Sequence, residues 1–264
     1  MPQDFLGRIL FILDNYLPSL LRGAGTTILV ALVGTFFGCI IGFIIGIIQT
    51  IPLEKNDSLP KKAVLRALRL VLYCYVEVFR GTPMLVQAMF IYYGSMELFG
   101  IDMSMWFAAF FIVSINTGAY MAETVRGGIL SIDVGQTEGA KAIGMNHVQT
   151  MVNVILPQAL RNILPQIGNN LIINIKDTCV LAGIGTVELF FASKSVAGSY
   201  YWYFQTYTIT MAMYLVMTLF FSRLLRWFEK KMDGDESYSL AHTDTLEQTS
   251  GLYKFRGKNR KERR

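Results

Sequence analysis

Residues 26–51 pass without one charged side chain. A bilayer's hydrocarbon core, about 30 Å thick, is crossed by roughly 20 apolar helical residues, so this stretch is long enough to span it once. Inside it Gly34, Gly38, Gly42 and Gly46 recur at every fourth position. Residues at i and i+4 share a helix face, so the four glycines form a groove bare of side chains. Water supplies no driving force between helices in lipid, and small residues that let backbones approach become the contact surface. A second helix is therefore expected to lie along this groove.

Further apolar stretches occupy residues 83–98, 103–125, 165–185 and 201–228. With 53% hydrophobic and 16% charged residues, the composition is that of a membrane protein. Cations gather in residues 54–69 (Lys55, Lys61, Lys62, Arg66 and Arg69) and after the last stretch (Arg223, Arg226, Lys230 and Lys231). Such clusters mark the cytoplasmic side. The reading is an all-α membrane protein of about five crossings, N-terminus outside and C-terminus inside. Trp202, Tyr203 and Tyr207 are expected to form an aromatic belt at the outer end of the last crossing.

Ahead of residue 83 the pattern is compound. Residues 70–79 are apolar apart from Glu77, and Arg80-Gly81-Thr82-Pro83 follows. Proline lacks an N–H and disfavours helix at the residue before it, so a bend or restart belongs near Thr82. Residues 70–79 are then expected to form an elbow in the inner interface. At the start of the chain, Asp14 and Asn15 interrupt an apolar run before Pro18, and no basic start precedes it. An interfacial amphipathic helix over 5–17, within a segment 1–19, fits better than a signal peptide. Residues 232–264 are charge-rich and expected to be disordered. Their basic end (Lys254, Arg256, Lys258, Arg260, Lys261, Arg263 and Arg264) faces either anionic lipid or water, not nucleic acid. Cys39, Cys74 and Cys179 stand far apart in apolar runs and read as core thiols. His147 and His242 are too few and too separated for a metal site.

The cytoplasmic segment 131–160 predicts two short helices. The first covers 134–143, and Gly144 can take the left-handed conformation that ends a helix. Asn146 can cap the second, with Gln149 three residues on in a capping box, and Pro157 is expected to end or kink it near Leu156. The product is a bent pair presenting Ile143, Met145, Val148, Met151 and Val152.

This segment resembles the EAA loop of membrane subunits of bacterial ABC importers, a pattern of Glu-Ala-Ala, then Gly, then Ile-x-Leu-Pro. Here the residues are Glu138-Gly139-Ala140, Gly144 and a contiguous Ile155-Leu156-Pro157. Phe79-Arg80-Gly81-Thr82-Pro83, Glu123 with Arg126-Gly127-Gly128-Ile129, Gly135-Gln136 and Lys176-Asp177-Thr178 are similar to the polar amino-acid uptake branch. The resemblance covers residues 20–231. It implies a type I importer permease domain of the bacterial inner membrane, paired with an identical or homologous permease. Two cytoplasmic ATPases, which bind ATP and Mg, would grip the loop through Glu138, Gly139, Ala140, Gly144, Leu156 and Pro157. An extracytoplasmic solute-binding protein would deliver a polar amino acid. The chain has no G-x-x-x-x-G-K-[ST] phosphate loop of its own, so it is expected to bind no cofactor and catalyse no hydrolysis.

Lys176 and Asp177 fall midway through the stretch 165–185, where each charge costs about 2.5–3.5 kcal/mol. Asn170, Asn174 and Asp177 share a helix face and Lys176 points away. Two readings stand. Either Asn170, Asn174, Lys176 and Asp177, with Glu77 and Glu123, line a path and bind the charged ends of an amino acid, or they form a polar network locking helices together. Glu188 and Lys194, in the external segment, either touch the binding protein or are simply solvated. The competing function is an ion-coupled secondary amino-acid transporter, for which five unequal spans offer no inverted repeat. An intramembrane enzyme lacks a nucleophile–base set in the spans.

Overall fold

The computed structural model describes residues 2–53 and 58–233. Lys55, His242 and the basic tail from Lys254 lie outside the described residues, as does most of the expected disordered segment. By compactness the chain divides into two units, residues 1–226 and 227–264. Of the second unit, residues 227–233 are described; there the Lys231 ammonium lies 5.4 Å from the Trp227 ring centre.

Regular structure among the described residues is helical. The order is α1 Phe5–Thr50, α2 Leu59–Gly81, α3 Met84–Phe99, α4 Met105–Leu130, α5 Val134–Ala142, α6 His147–Thr150, a π-helical turn Met151–Ile155, α7 Leu156–Asp177, a 3-10 segment Thr178–Ile184, α8 Leu189–Tyr200 and α9 Tyr203–Asp233. Three helices are long and apolar enough to cross a membrane, Phe5–Thr50, Met105–Leu130 and Tyr203–Lys231. The bent pair His147–Ile184 and Leu189–Tyr200, whose parts meet at 55°, makes a fourth if it is counted as one span.

The glycine groove finds its partner in α4. A Cβ added at Gly34, Gly38, Gly42 or Gly46 would stand under 3.0 Å from Val113, Thr117, Met121 or Val125 respectively. Those α4 residues are themselves four apart, so two helical rows interlock. Buried Thr35, Thr117 and Asn174 cross this seam. The Asn174 amide donates to Thr35 Oγ1 at 2.8 Å and to Thr117 Oγ1 at 2.9 Å, which joins α7 to both α1 and α4. Lower on α4, a Cβ on Gly128 would meet the Ile163 side chain at 2.5 Å, and Met121, Val125, Ile129, Ile155, Ala159 and Ile163 form one buried cluster.

Two expectations about the ends of α1 and α9 are corrected. Helix α1 is continuous for 46 residues with Pro18 inside it, so residue 19 marks no structural boundary. Ile12 and Leu20, on either side of the proline, are buried in one cluster with Leu189 and Val196 of α8, and that packing supports a helix through Pro18. Trp202 is also buried in this cluster rather than standing in an exposed belt. Its ring lies 5.0 Å from Tyr200, 5.6 Å from Phe11 and 5.2 Å from the Arg8 guanidinium. Tyr203 remains exposed. The three cysteines are free, with Cys74 on an exposed face of α2 rather than in the core.

The break at Thr82–Pro83 is present, but its place differs from expectation. The Tyr75 hydroxyl donates to the Ile115 carbonyl, and Val76 packs with Ala122 and Ile45. Residues 72–79 therefore run beside the middle of α4, not as an elbow beyond its end. Pro83 has no N–H for the Phe79 carbonyl four residues earlier. The Gln87 amide takes over, donating to Phe79 O at 2.9 Å and Thr82 O at 2.8 Å, while Asn116 donates to Gln87 Oε1 at 2.8 Å. Backbone groups away from water must be satisfied internally, and two buried amides do so here. Helix α3 alone has 16 residues, about 24 Å of helix, short of the roughly 30 Å of a bilayer core.

Replacing Gly42 by Val is expected to cost at least the 1–3 kcal/mol typical of overpacking, because its added carbons meet Met121 and its backbone. Gly25→Ala, with nothing within 4 Å, is expected to be tolerated. Thermal unfolding of the two variants in detergent separates these outcomes; equal midpoints would contradict the interlock.

Candidate functional site

The segment after α4 is built from local capping. The Asp133 side chain accepts from Gly135 N at 2.7 Å and opens α5. At the other end Gly144 has φ +86°, its N–H donates to Lys141 O at 3.0 Å, and Met145 N donates to Ala140 O at 3.0 Å. This paired closure requires a left-handed residue, which glycine adopts at no steric cost. Asn146 and Gln149 then exchange side-chain and backbone bonds at 2.9 and 3.0 Å, the expected capping box, and α6 begins.

Pro157 neither ends nor sharply kinks the helical path. The preceding turn widens to a π-turn in which Leu156 N reaches Met151 O, and the chain enters α7 with Pro157 in its first turn. The wider turn accommodates the missing donor and the ring that would crowd an α-helical neighbour. Gln158 donates to Gln136 Oε1 at 3.2 Å and Asn162 to Ser131 Oγ at 3.1 Å, so α7 braces the loop from behind.

Ile143, Val148 and Val152 stand out from this bent pair at 76%, 68% and 55% exposure. Met145 and Met151 are half-buried, Glu138, Gly139 and Pro157 are exposed, Leu156 is half-buried and Ala140 is buried. A Cβ on Gly139 would meet nothing within 4 Å, so the glycine in place of an alanine is not a packing requirement.

The six polar positions do not form one cluster. Asn174 is 5% exposed and donates inward to Thr35 and Thr117, so here it joins helices, as the network reading has it. Asn170 is half-buried and donates to Gln166 O at 2.9 Å and toward Met121 Sδ at 3.4 Å. Glu123 pairs with Arg126 through two contacts, one of them Nε to Oε2 at 3.1 Å. Arg80 lies 5.8 Å over the ring of Tyr120, one turn from Glu123. Glu77, Lys176 and Asp177 are exposed. Lys176 and Asp177 sit where α7 tightens into the 3-10 segment, not within an unbroken span.

Glu188 departs most from expectation. It is fully buried, not an outer surface charge. Phe191 N donates to its Oε1 at 2.6 Å, and Phe190 N and the Tyr214 hydroxyl donate to Oε2 at 2.8 and 2.9 Å. Lys194 is exposed, as either reading of it allows. Gln87 and Asn116 were also missed. The signal for Gln87 was its place four residues after Pro83, within reach of the carbonyls around the break; Asn116 gave no local sign.

Residues 63–234 match the family described as the binding-protein-dependent transport system inner membrane component. The chain belongs to this family. It is 35% identical over 217 residues to the glutamine transport system permease protein of Escherichia coli K12, covering 82% of this chain and 94% of that one. A putative glutamine transport system permease of Rickettsia felis is 32% identical over 228 residues, covering 86% and 95%. A solved amino acid ABC transporter with histidines superimposes with a TM-score of 0.74 at 35% identity, over 88% of this chain and all of that one. The chain is thus the membrane-spanning permease subunit of an ABC importer, a multi-pass inner-membrane protein and a transport component rather than a catalyst. An ion-coupled secondary transporter finds no support among these relatives.

Gly139→Ala is expected to stabilise α5 by up to about 1 kcal/mol and leave transport intact, because the site is open. Asn174→Leu strands the Thr35 and Thr117 hydroxyls and is expected to cost about 1–3 kcal/mol. Urea or thermal unfolding of purified protein reads both signs; a destabilised Gly139→Ala would contradict the open site.

Proposed function

We propose that this permease carries a polar amino acid into the cytoplasm, driven by a separate ATPase that binds the ATP and Mg and docks on residues 131–160. The observation that supports docking is the bent pair itself. It holds an exposed apolar edge of Ile143, Val148 and Val152 on a frame fixed by paired capping at both turns. Exposed apolar groups on a braced scaffold suit a partner's groove. Glu138, Gly139, Ala140, Gly144, Leu156 and Pro157 form or frame that edge.

The partner permease is an identical or homologous copy, and an extracytoplasmic solute-binding protein delivers the substrate. The orientation follows the cation pattern, with the N-terminus outside, the C-terminus inside and five crossings, the second broken at Thr82–Pro83. The substrate class follows the names of the relatives, several of them glutamine permeases. Asp177 offers a carboxylate to the substrate ammonium; Lys176, Asn170, Glu77 and Glu123 complete the polar lining, with Asn174 supporting it from behind.

Purification from the native membrane in mild detergent, followed by mass spectrometry, tests the docking. One ATPase per permease is expected with the wild type and none with Gly144→Asp, which places a side chain at φ +86°. Permease purified alone, with uptake driven by an ion gradient in liposomes, would overturn the proposal. Asp177→Asn is expected to lower uptake roughly tenfold, the loss of one hydrogen bond to a charged group, with assembly unchanged. Normal uptake would remove Asp177 from the path.

A further inference from the structure

The helical path that begins at the docking segment does not stop at α7. His147–Ile184 runs as one rod through α6, the π-turn, α7 and the 3-10 segment, roughly 55 Å at about 1.5 Å per residue. At its far end Gly185 has φ +86°, and four residues later α8 leaves at 55° to the rod. A short Gly-Thr-Val link with a left-handed glycine has the composition of a hinge. Glu188 closes it.

The Glu188 carboxylate, fully buried, caps α8 through Phe190 N and Phe191 N. Capping alone needs only a short acceptor such as Ser, Asp or Asn. The longer side chain also receives the Tyr214 hydroxyl of α9 at 2.9 Å and the Thr27 hydroxyl of α1 at 3.4 Å. Thr27 in turn accepts from Leu189 N at 3.3 Å. Behind the corner, a Cβ on Gly23 would stand 3.0 Å from the Glu188 carbonyl oxygen and the Leu189 Cα, so the α1 backbone presses directly on it. These contacts to the carboxylate come from neutral donors on three elements. A buried carboxylate is tolerated only while such donors stay in place, so the corner resists small displacement and holds one arrangement.

We infer that Glu188 is a positioning residue for transport: it stiffens the corner between rod and α8, so that movement imposed at the docking end reaches α8 instead of being absorbed at residues 185–187. The inference rests on the importer reading above. It assigns to one carboxylate the task of carrying a rigid-body displacement around a bend.

Tyr214→Phe removes one donor without changing shape, and Glu188→Asp keeps a capping carboxylate but shortens its reach. Each is reconstituted as the full complex, with its ATPase and binding protein, in liposomes containing ATP. Uptake of radiolabelled L-glutamine or L-histidine and release of inorganic phosphate are measured together. The expected result is retained ATP hydrolysis with amino acid carried per ATP lowered roughly tenfold in either variant, the scale of one lost hydrogen bond to a charged group. A role confined to folding would reduce the amount of complex recovered and leave the ratio per ATP at the wild-type value, which overturns the inference. Absence of ATP-dependent uptake in the wild-type complex would instead overturn the importer reading on which it rests.

Discussion

Everything in this structure leans on the contact between α1 and α4. Gly34, Gly38, Gly42 and Gly46 meet Val113, Thr117, Met121 and Val125 with no room for a methyl group between them. In lipid that closeness replaces the hydrophobic effect as the source of association. It also sets the polar chemistry. Thr35 and Thr117 lie on opposite sides of the seam, near enough for one asparagine to reach both, so α7 is fixed by Asn174 where α1 and α4 are closest. A wider seam would leave the three polar groups apart and each unsatisfied, at a cost of about 1–3 kcal/mol apiece.

On this frame the helical rod can be long without being soft. Its start is fixed by a glycine closure and a capping box, its π-turn absorbs Pro157, and its flank packs on α4 through Ile163 against Gly128. Its far end meets α8 at a corner filled by Glu188. The bent pair α5–α6 and α8 therefore lie at the two ends of one connected body, the arrangement a transporter needs if work done on one face is to move groups at the other.

What was legible in the sequence was local. The four-residue glycine period announced a close helix partner, and Gly144, Asn146 and Gln149 gave the bent pair because each acts within five residues of itself. The break at Pro83 was legible for the same reason. Contacts set by distant residues were not. Glu188 reads as a solvated charge because its tethering donors, Thr27 and Tyr214, are 161 and 26 residues away. The depth of residues 72–79 depends on Asn116 and Ile115 of another helix. For Asn174 the sequence leaves path and helix-locking network both open, because its partners Thr35 and Thr117 are 139 and 57 residues away. Pro157 misled differently: the rule that proline breaks helices omits the wider turn that lets one pass.

The most direct measurement is a distance between two spin labels, one at Val148 on the bent pair and one at Ser195 on α8, both exposed positions. The labels go into a chain whose Cys39, Cys74 and Cys179 have been replaced, assembled with its ATPase. Electron–electron resonance in the nucleotide-free and ATP-bound complex then reports whether the path between them deforms. One rigid body predicts the same intrachain distance in both states. A shift larger than about 5 Å, close to one helical turn, would show that the rod or its corner bends and would contradict the account.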